Sequence, residues 1–185
     1  MSEKDIVVNE LKLAYEGLFN ATELYNLIDH WFKRYNYDKL ETKNIENITK
    51  KGKHIETEWV PFKDINNYAE NQIKIRMIIT EMTDVEIEKE GHKIKMNKGK
   101  IHFVFWGFLV TDWENMWENK PFLFFIRSLY NKFFYKGYVN KWKGELKSDV
   151  YSLNNSIKFD DFNHYPQAKL LGLSTVYTDY TAPKP

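Results

Sequence analysis

Cysteine is absent from this sequence of 185 residues, and its absence excludes several kinds of site. Disulfide bonds, thiolate metal ligands and cysteine nucleophiles all require it. Long apolar runs are missing too, since the most apolar segments, 101–110 and 122–126, are far too short to span a bilayer. The charged N-terminal stretch MSEKDIVVNELK also lacks the apolar core of a signal peptide. We therefore expect a soluble, cytoplasmic protein with no membrane span.

The motifs that commonly mark enzymes are also missing. The eight glycines are scattered and match neither GxGxxG nor the P-loop pattern, and there is no GxSxG. The five histidines form no HExxH and no helical ligand pair. His54, Glu56 and Glu58 share one face of a predicted strand, but a solvated face explains them more simply than a metal site does. The sequence thus predicts no catalytic residue, no metal and no cofactor, and an enzyme is the minority hypothesis.

The net charge is also close to zero, because the sequence has 27 lysine and arginine residues and 26 aspartate and glutamate residues. Any case for nucleic acid must therefore rest on local clustering of bases. Aromatic residues, in contrast, are plentiful at 17%, enough to fill a sizeable core or to line a cavity. The length suits one domain. We predict a single domain at residues 1–160 and an irregular C-terminal tail at residues 161–185.

The N-terminal third predicts a strand followed by a helix. Leu11, Leu13 and Tyr15 alternate with charged residues, which is typical of a half-buried strand. The helix begins after Asn20, a capping residue with Glu23 three positions later. The apolar stripe of this helix has helical spacing and comprises Leu24, Leu27, Ile28, Trp31 and Phe32.

The middle of the chain predicts an antiparallel meander. Candidate strands lie at 39–49, 54–62, 72–82, 85–96 with a break at Gly91, and 100–111, with KKGK (50–53) and NKGK (97–100) as hairpin turns. The last of these strands is apolar on both faces, which predicts a central strand or one that meets a second layer or a partner. One face holds Ile101, Phe103, Phe105 and Leu109, and the other holds Val104, Trp106, Phe108 and Val110.

The last third returns to helical spacing. Pro121 suits a first helical position, and Gly137 divides the region into two helical pieces. The second piece has an apolar stripe of Val139, Trp142, Leu146, Val150, Leu153 and Ile157. The predicted fold class is α+β, with an antiparallel sheet of about six strands, one helix after the first strand and a C-terminal helical segment packed on the sheet.

This order of elements resembles the START-like (Bet v 1-like, helix-grip) superfamily, although such folds usually place two short helices after the first strand. The resemblance covers roughly residues 6–157 and implies a curved sheet gripping a C-terminal helix. It also implies an alternative function, a carrier of an apolar small molecule or lipid. The implied cavity would be lined by Phe103, Phe105, Trp106, Phe122, Phe125 and Trp142.

A second likeness is to small archaeal proteins. It is carried by the stretches VEIEKEGHKIKMNKGKI, VTDWENMWENKPFLFFIRSLYNKF and GELKSDVYSL. This likeness assigns no residue a role, and it implies only an expected association with the translation machinery.

Residues 121–143 form a basic aromatic segment with nine aromatic residues, five bases and no acid. On a helical wheel, Phe124, Arg127 and Tyr135 lie opposite the core stripe, where an ordinary helix carries polar residues. The tail could cover this face within the fold; otherwise it could bind RNA, form a homodimer or partner interface, or lie on a membrane surface. We favour a non-catalytic protein that binds RNA or a ribonucleoprotein such as the ribosome, plausibly as a homodimer. The candidate binding residues are Phe124, Arg127, Lys132, Phe134, Tyr135, Lys141 and Lys143.

Overall fold

The computed structural model describes residues 3–66, 68–89, 92–111, 136–158 and 175–179. Within these ranges the chain is α+β, with an antiparallel sheet, one helix after the first strand and a C-terminal helix on the sheet, as the sequence predicts. The elements in chain order are β1 (Glu3–Phe19), α1 (Ala21–Arg34), β2 (Glu41–Thr49), β3 (Gly52–Trp59), β4 (Phe62–Asp64), β5 (Ala69–Lys89), β6 (His92–Thr111), α2 (Lys136–Ser156) and β7 (Thr175–Asp179).

The start and end of α1 have local causes. The Asn20 side chain accepts hydrogen bonds from the backbone N–H groups of Thr22 and Glu23, at 3.1 and 3.4 Å, which confirms the predicted cap. After the helix, Asn36 adopts a positive φ of 56°, a conformation that asparagine tolerates better than most residues. The predicted apolar stripe is largely buried, so α1 packs on the sheet through the face expected from its spacing.

The sheet has seven strands in the order β2-β3-β5-β6-β1-β7, with β4 paired to one end of β5. All pairs are antiparallel, and β5 and β6 are the longest partners. The predicted turn KKGK is confirmed, since Thr49 pairs with Gly52 across the β2–β3 hairpin. Strand β6 is central, as its two apolar faces predict.

The predicted turn at NKGK is wrong. Residues 97–100 lie inside β6, and the β5–β6 hairpin closes where Lys89 pairs with His92. Gly99 instead lies opposite a register shift between Thr80 and Thr83 of β5. A Cβ on Gly99 would lie 3.0 Å from the Thr80 carbonyl oxygen, so glycine permits a close backbone approach there. The predicted strand at 85–96 is therefore the two paired ends of β5 and β6.

The inner face of the sheet carries the core. Side chains of β1, β3, β5 and β6 meet α1 and α2 there, and the predicted stripe of α2 is buried from Trp142 to Ile157. Gly107 of β6 brings sheet and helix together, because a Cβ on it would lie 3.3 Å from Val150 Cγ2. Neither helix in the described ranges is both long and apolar enough to cross a membrane.

The predicted tail contains a strand. Thr175–Asp179 pairs antiparallel with Lys12–Glu16 of β1 and extends the sheet at that edge. These five residues are the part of 161–185 that the structure describes, and they are not irregular. The helix predicted to begin at Pro121 lies outside the described residues.

Candidate functional site

Most of the predicted RNA-binding residues lie outside the described residues: Phe124, Arg127, Lys132, Phe134 and Tyr135. The other two, Lys141 and Lys143, lie on α2 and both have acidic neighbours. The Lys141 ammonium is 3.8 Å from Glu145, and Lys143 forms an ion pair with Asp5 of β1. These two bases are therefore partly neutralised within the fold.

The residues of the predicted ligand cavity lie on different faces of the sheet. Phe103 and Phe105 stack at 5.7 Å on the inner face, where Trp142 is also buried. Trp106 follows the opposite parity of β6 and lies on the outer face, away from α2. Phe122 and Phe125 lie outside the described residues. Where the structure describes it, the interface between β6 and α2 is a direct contact through Gly107 and Val150.

The outer face of the sheet carries a second apolar surface. Both helices pack on the inner face, so neither covers this side in the described ranges. We call the apolar residues of this face the outer strip. Its two β6 rings, Trp106 and Phe108, are partly exposed, and Ile6 is 59% exposed. The outer strip comprises Ile6 of β1, Ile78 of β5 and Val104, Trp106 and Phe108 of β6; Val110, the next β6 residue on this face, is buried.

Basic side chains lie directly beside the two rings of the outer strip. Lys74 is the cross-strand partner of Trp106, and its ammonium lies 5.8 Å from the Trp106 ring centroid. The Lys4 ammonium lies 4.2 Å from the centroid of Phe108. Both distances are within the roughly 6 Å at which a cation is attracted to a ring face. Each ring thus has an ammonium at its edge or over its face.

Lys4 has an unusual electrostatic environment for a surface lysine. Burial lowers the pKa of its ammonium and the positive charge of Lys74 lowers that pKa further, while the negative charge of Glu70 raises it. Its Nζ donates a 3.0 Å hydrogen bond to Gln72 Oε1, a neutral amide oxygen. Two ammonium groups therefore lie close to one another beside an aromatic surface, an arrangement that an incoming anion would stabilise.

Ion pairs border the outer strip on the β3 side. Arg76 donates from Nε and Nη2 to Glu56 Oε1 at 2.9 and 2.5 Å, and Lys43 donates to Glu56 Oε2 at 2.6 Å. The hydrogen bonds from Lys43 and Arg76 hold the pKa of Glu56 below its usual range. Lys74 pairs with Glu58 at 3.1 Å.

His54, Glu56 and Glu58 share this face, but the described residues contain no group of three His, Asp or Glu side chains that could hold a metal ion.

A polar cluster on the inner side holds α2 against the sheet. The Tyr37 hydroxyl donates to Asp149 Oδ2 at 2.9 Å. Burial raises the pKa of Asp149 above its ordinary value, and it raises the pKa of Tyr37 as well. Asp149 is the half-buried carboxylate that acid–base chemistry would require. Its hydrogen-bond partner, Tyr37, lies in the segment before β2, so the pair fits a fixed contact between α2 and that segment.

Comparison with protein-family models, curated proteins and solved structures gives no match. The helix-grip likeness therefore stays a resemblance in the order of elements. Fold alone does not assign function. The outer strip and its bases are the feature of the described residues that requires an explanation beyond folding.

Sequence reasoning found one half of this surface and missed the other. The second apolar face of β6, with Trp106 and Phe108, is visible as a period-two pattern. Lys4, Lys74 and Arg76 were not predicted as site residues, because the misplaced turn at 97–100 left β5 and β6 unpaired along their length. A hairpin closed between Lys89 and His92, together with the register shift between Thr80 and Thr83, places Lys74 opposite Trp106.

Proposed function

We propose that this protein binds single-stranded RNA, free or within a ribonucleoprotein, on the outer strip. The observation that carries the proposal is the pairing of two rings with two ammonium groups, Phe108 with Lys4 and Trp106 with Lys74. Proteins hold single-stranded nucleic acid with aromatic side chains that stack on the nucleobases and with lysine and arginine side chains that neutralise the phosphates. The outer strip offers both on the sheet face that neither described helix covers.

The geometry of a strand supports this proposal. Trp106 and Phe108 are two residues apart on β6, so they project from one face about 6–7 Å apart. Adjacent rings at this spacing provide stacking positions for two bases. Lys4 and Lys74 flank the rings on the neighbouring strands β1 and β5, where the phosphates of a strand lying along β6 would pass.

The distribution of charge on the sheet favours phosphate binding on the β1 side of the outer strip over the β3 side. On the β3 border, Glu56 and Glu58 already hold Arg76 and Lys74. On the β1 border, the hydrogen bond that Lys4 makes within the described residues is to the neutral amide of Gln72, and Glu70 is the carboxylate whose charge acts on its ammonium. We therefore propose that the phosphates lie nearer β1, where Lys4 is the principal phosphate-binding side chain and Lys74 is the second. The basic aromatic segment at 121–143 follows β6 in the chain, and its contribution stays a prediction.

Fluorescence anisotropy with a labelled oligouridine of about 12 nucleotides tests stacking, since such sites span about 4–16 nucleotides. The double variant Trp106→Leu/Phe108→Leu keeps the strip apolar but removes both rings. We expect it to weaken binding by at least about tenfold, because stacking contributes about 1–3 kcal/mol per base.

Tyr138→Leu is the control variant, because Tyr138 is an aromatic residue of α2 that is 63% exposed. We expect it to bind like the wild type. Equal affinity for the wild type and the double variant, with both folded by thermal denaturation, would contradict the proposal. A loss with Tyr138→Leu alone would move the site to the basic aromatic segment.

A further inference from the structure

Strand β2 forms an open edge of the sheet. It is the terminal strand in the sheet order and pairs with β3 on one side; its other side has no strand partner within the ranges the structure describes. Eight of its nine residues are exposed, Lys43 being the exception. Ile45 is 42% exposed and Ile48 is 81% exposed. An edge strand of this kind presents a row of free backbone N–H and C=O groups.

Several of the usual protections of an edge strand are missing from β2. Proteins commonly protect such edges with proline, with bulges, with very short strands or with charged side chains; of these, β2 has the charged residues Glu41, Lys43 and Glu46. β2 contains no proline, and its only register shift lies near its start, between Glu41 and Lys43. From Lys43 to Thr49 the ladder with β3 is continuous. Seven consecutive residues therefore offer a regular edge to another strand.

We propose that a second copy of this chain pairs antiparallel with β2 about a two-fold axis at Ile45. In that register Ile45 faces its own copy, so two half-exposed apolar side chains cover one another. Lys43 then faces Asn47, and Asn44 faces Glu46. Within the regular ladder of residues 43–49, the facing pairs therefore contain no like charges.

Neighbouring registers are less favourable. An axis at Glu46 sets two carboxylates opposite one another, and an axis at Lys43 sets two ammonium groups opposite one another. Like charges directly opposite across a ladder destabilise it. An axis at Asn44 avoids this but places the apolar Ile45 against Lys43. The charge pattern of β2 thus favours an axis at Ile45 over these three registers, and the pairing does not depend on RNA binding.

Light scattering after size-exclusion chromatography of the full chain measures the assembly. We expect the wild type to have twice the mass of one chain at high concentration. Ile45→Lys, which sets two ammonium groups at the axis, should restore the mass of one chain. Ile48→Lys is the matched control, since Ile48 is more exposed but lies three residues from the axis, and it should stay dimeric. A monomeric wild type, or two variants that behave alike, would overturn the proposal.

Cross-linking tests the register directly, because the chain has no cysteine of its own. A single Ile45→Cys substitution places two thiols across the ladder, where Cβ atoms are about 4.5–5.5 Å apart. Mild oxidation should link this variant at least about tenfold faster than Ile48→Cys, whose thiols would be too far apart for the bond. Equal rates for the two variants would mean random collision and would exclude pairing centred on Ile45.

Discussion

The Lys4 ammonium lies 4.2 Å from the centroid of the Phe108 ring, on the face of the sheet that neither described helix covers. The two residues are more than a hundred positions apart in sequence and meet because β1 pairs with the end of β6. This contact brings a base of the N-terminal strand to the aromatic face of the central strand. It is the contact on which the proposed RNA site depends most.

Replacing Lys4 should stabilise the fold in a pH-dependent way. The pKa of Lys4 in the folded state lies below 10.5, so the unfolded state binds more protons between the two values. The free energy of unfolding of the wild type should therefore rise with pH through that window. Lys4→Met removes this dependence, and urea unfolding should show its advantage at pH 7 shrinking as the pH approaches 10.5. Lys33→Met, on the exposed face of α1, is the control; a constant difference for Lys4→Met would refute the prediction.

Asp149 should make the opposite contribution at acidic pH. Burial raises its folded-state pKa above 3.8, with Glu145 raising it further and with Tyr37 and Lys63 lowering it. The folded state then binds more protons between the two values, so the free energy of unfolding falls as the pH rises through the window. In Asp149→Asn this contribution is lost, while the amide oxygen can still accept from Tyr37. Denaturant unfolding between pH 4 and pH 7 should show the variant gaining stability relative to wild type as the pH rises. A pH-independent difference would count against a raised pKa.

The contact between Gly107 and Val150 predicts a destabilising substitution. Gly107→Ala places a Cβ 3.3 Å from Val150 Cγ2 and from Val8 Cβ, so these side chains must move by a few tenths of an ångström in a packed core. We expect a loss of about 1–3 kcal/mol in the free energy of unfolding. Val150→Ala made in the same chain should recover part of that loss, which a double-mutant cycle measures.

Gly144→Ala is the matched control for this cycle. A Cβ at Gly144 of α2 would meet no atom within 4 Å, so the change should stabilise the helix by about 0.5–1 kcal/mol. Stabilisation by both glycine substitutions would show that α2 does not pack on β6 as described.

The local elements could be predicted from the sequence because their causes are local. The cap at Asn20 and the stripe of α2 depend on residues within a few positions of each other, and both are confirmed. Gly99 was misread because glycine serves turns and bulges equally. Its role depends on Thr80 and Met82 across the ladder, which no local pattern contains.

The candidate site was harder to predict than the fold for the same reason. The alternation of β6 predicts that Trp106 and Phe108 share a face, but not which bases lie beside them. That depends on the pairing of β6 with β1 and β5 and on three register shifts, two in β1 and one in β5. The sequence instead predicted RNA binding by the basic aromatic segment, because its basic and aromatic residues are adjacent in the chain. The RNA function itself stays a proposal.

The salt dependence of RNA binding tests the central claim most directly. Each phosphate neutralised by a base contributes about 0.7 to the slope of log affinity against log salt for a single strand. Lys4→Gln/Lys74→Gln should reduce the slope measured with labelled oligouridine by about 1.4. Lys33→Gln/Arg34→Gln removes two exposed bases from the last turn of α1 and should leave the slope unchanged. Slopes that are equal for the two double variants, or no binding by the wild type at low salt, would contradict an RNA site on the outer strip.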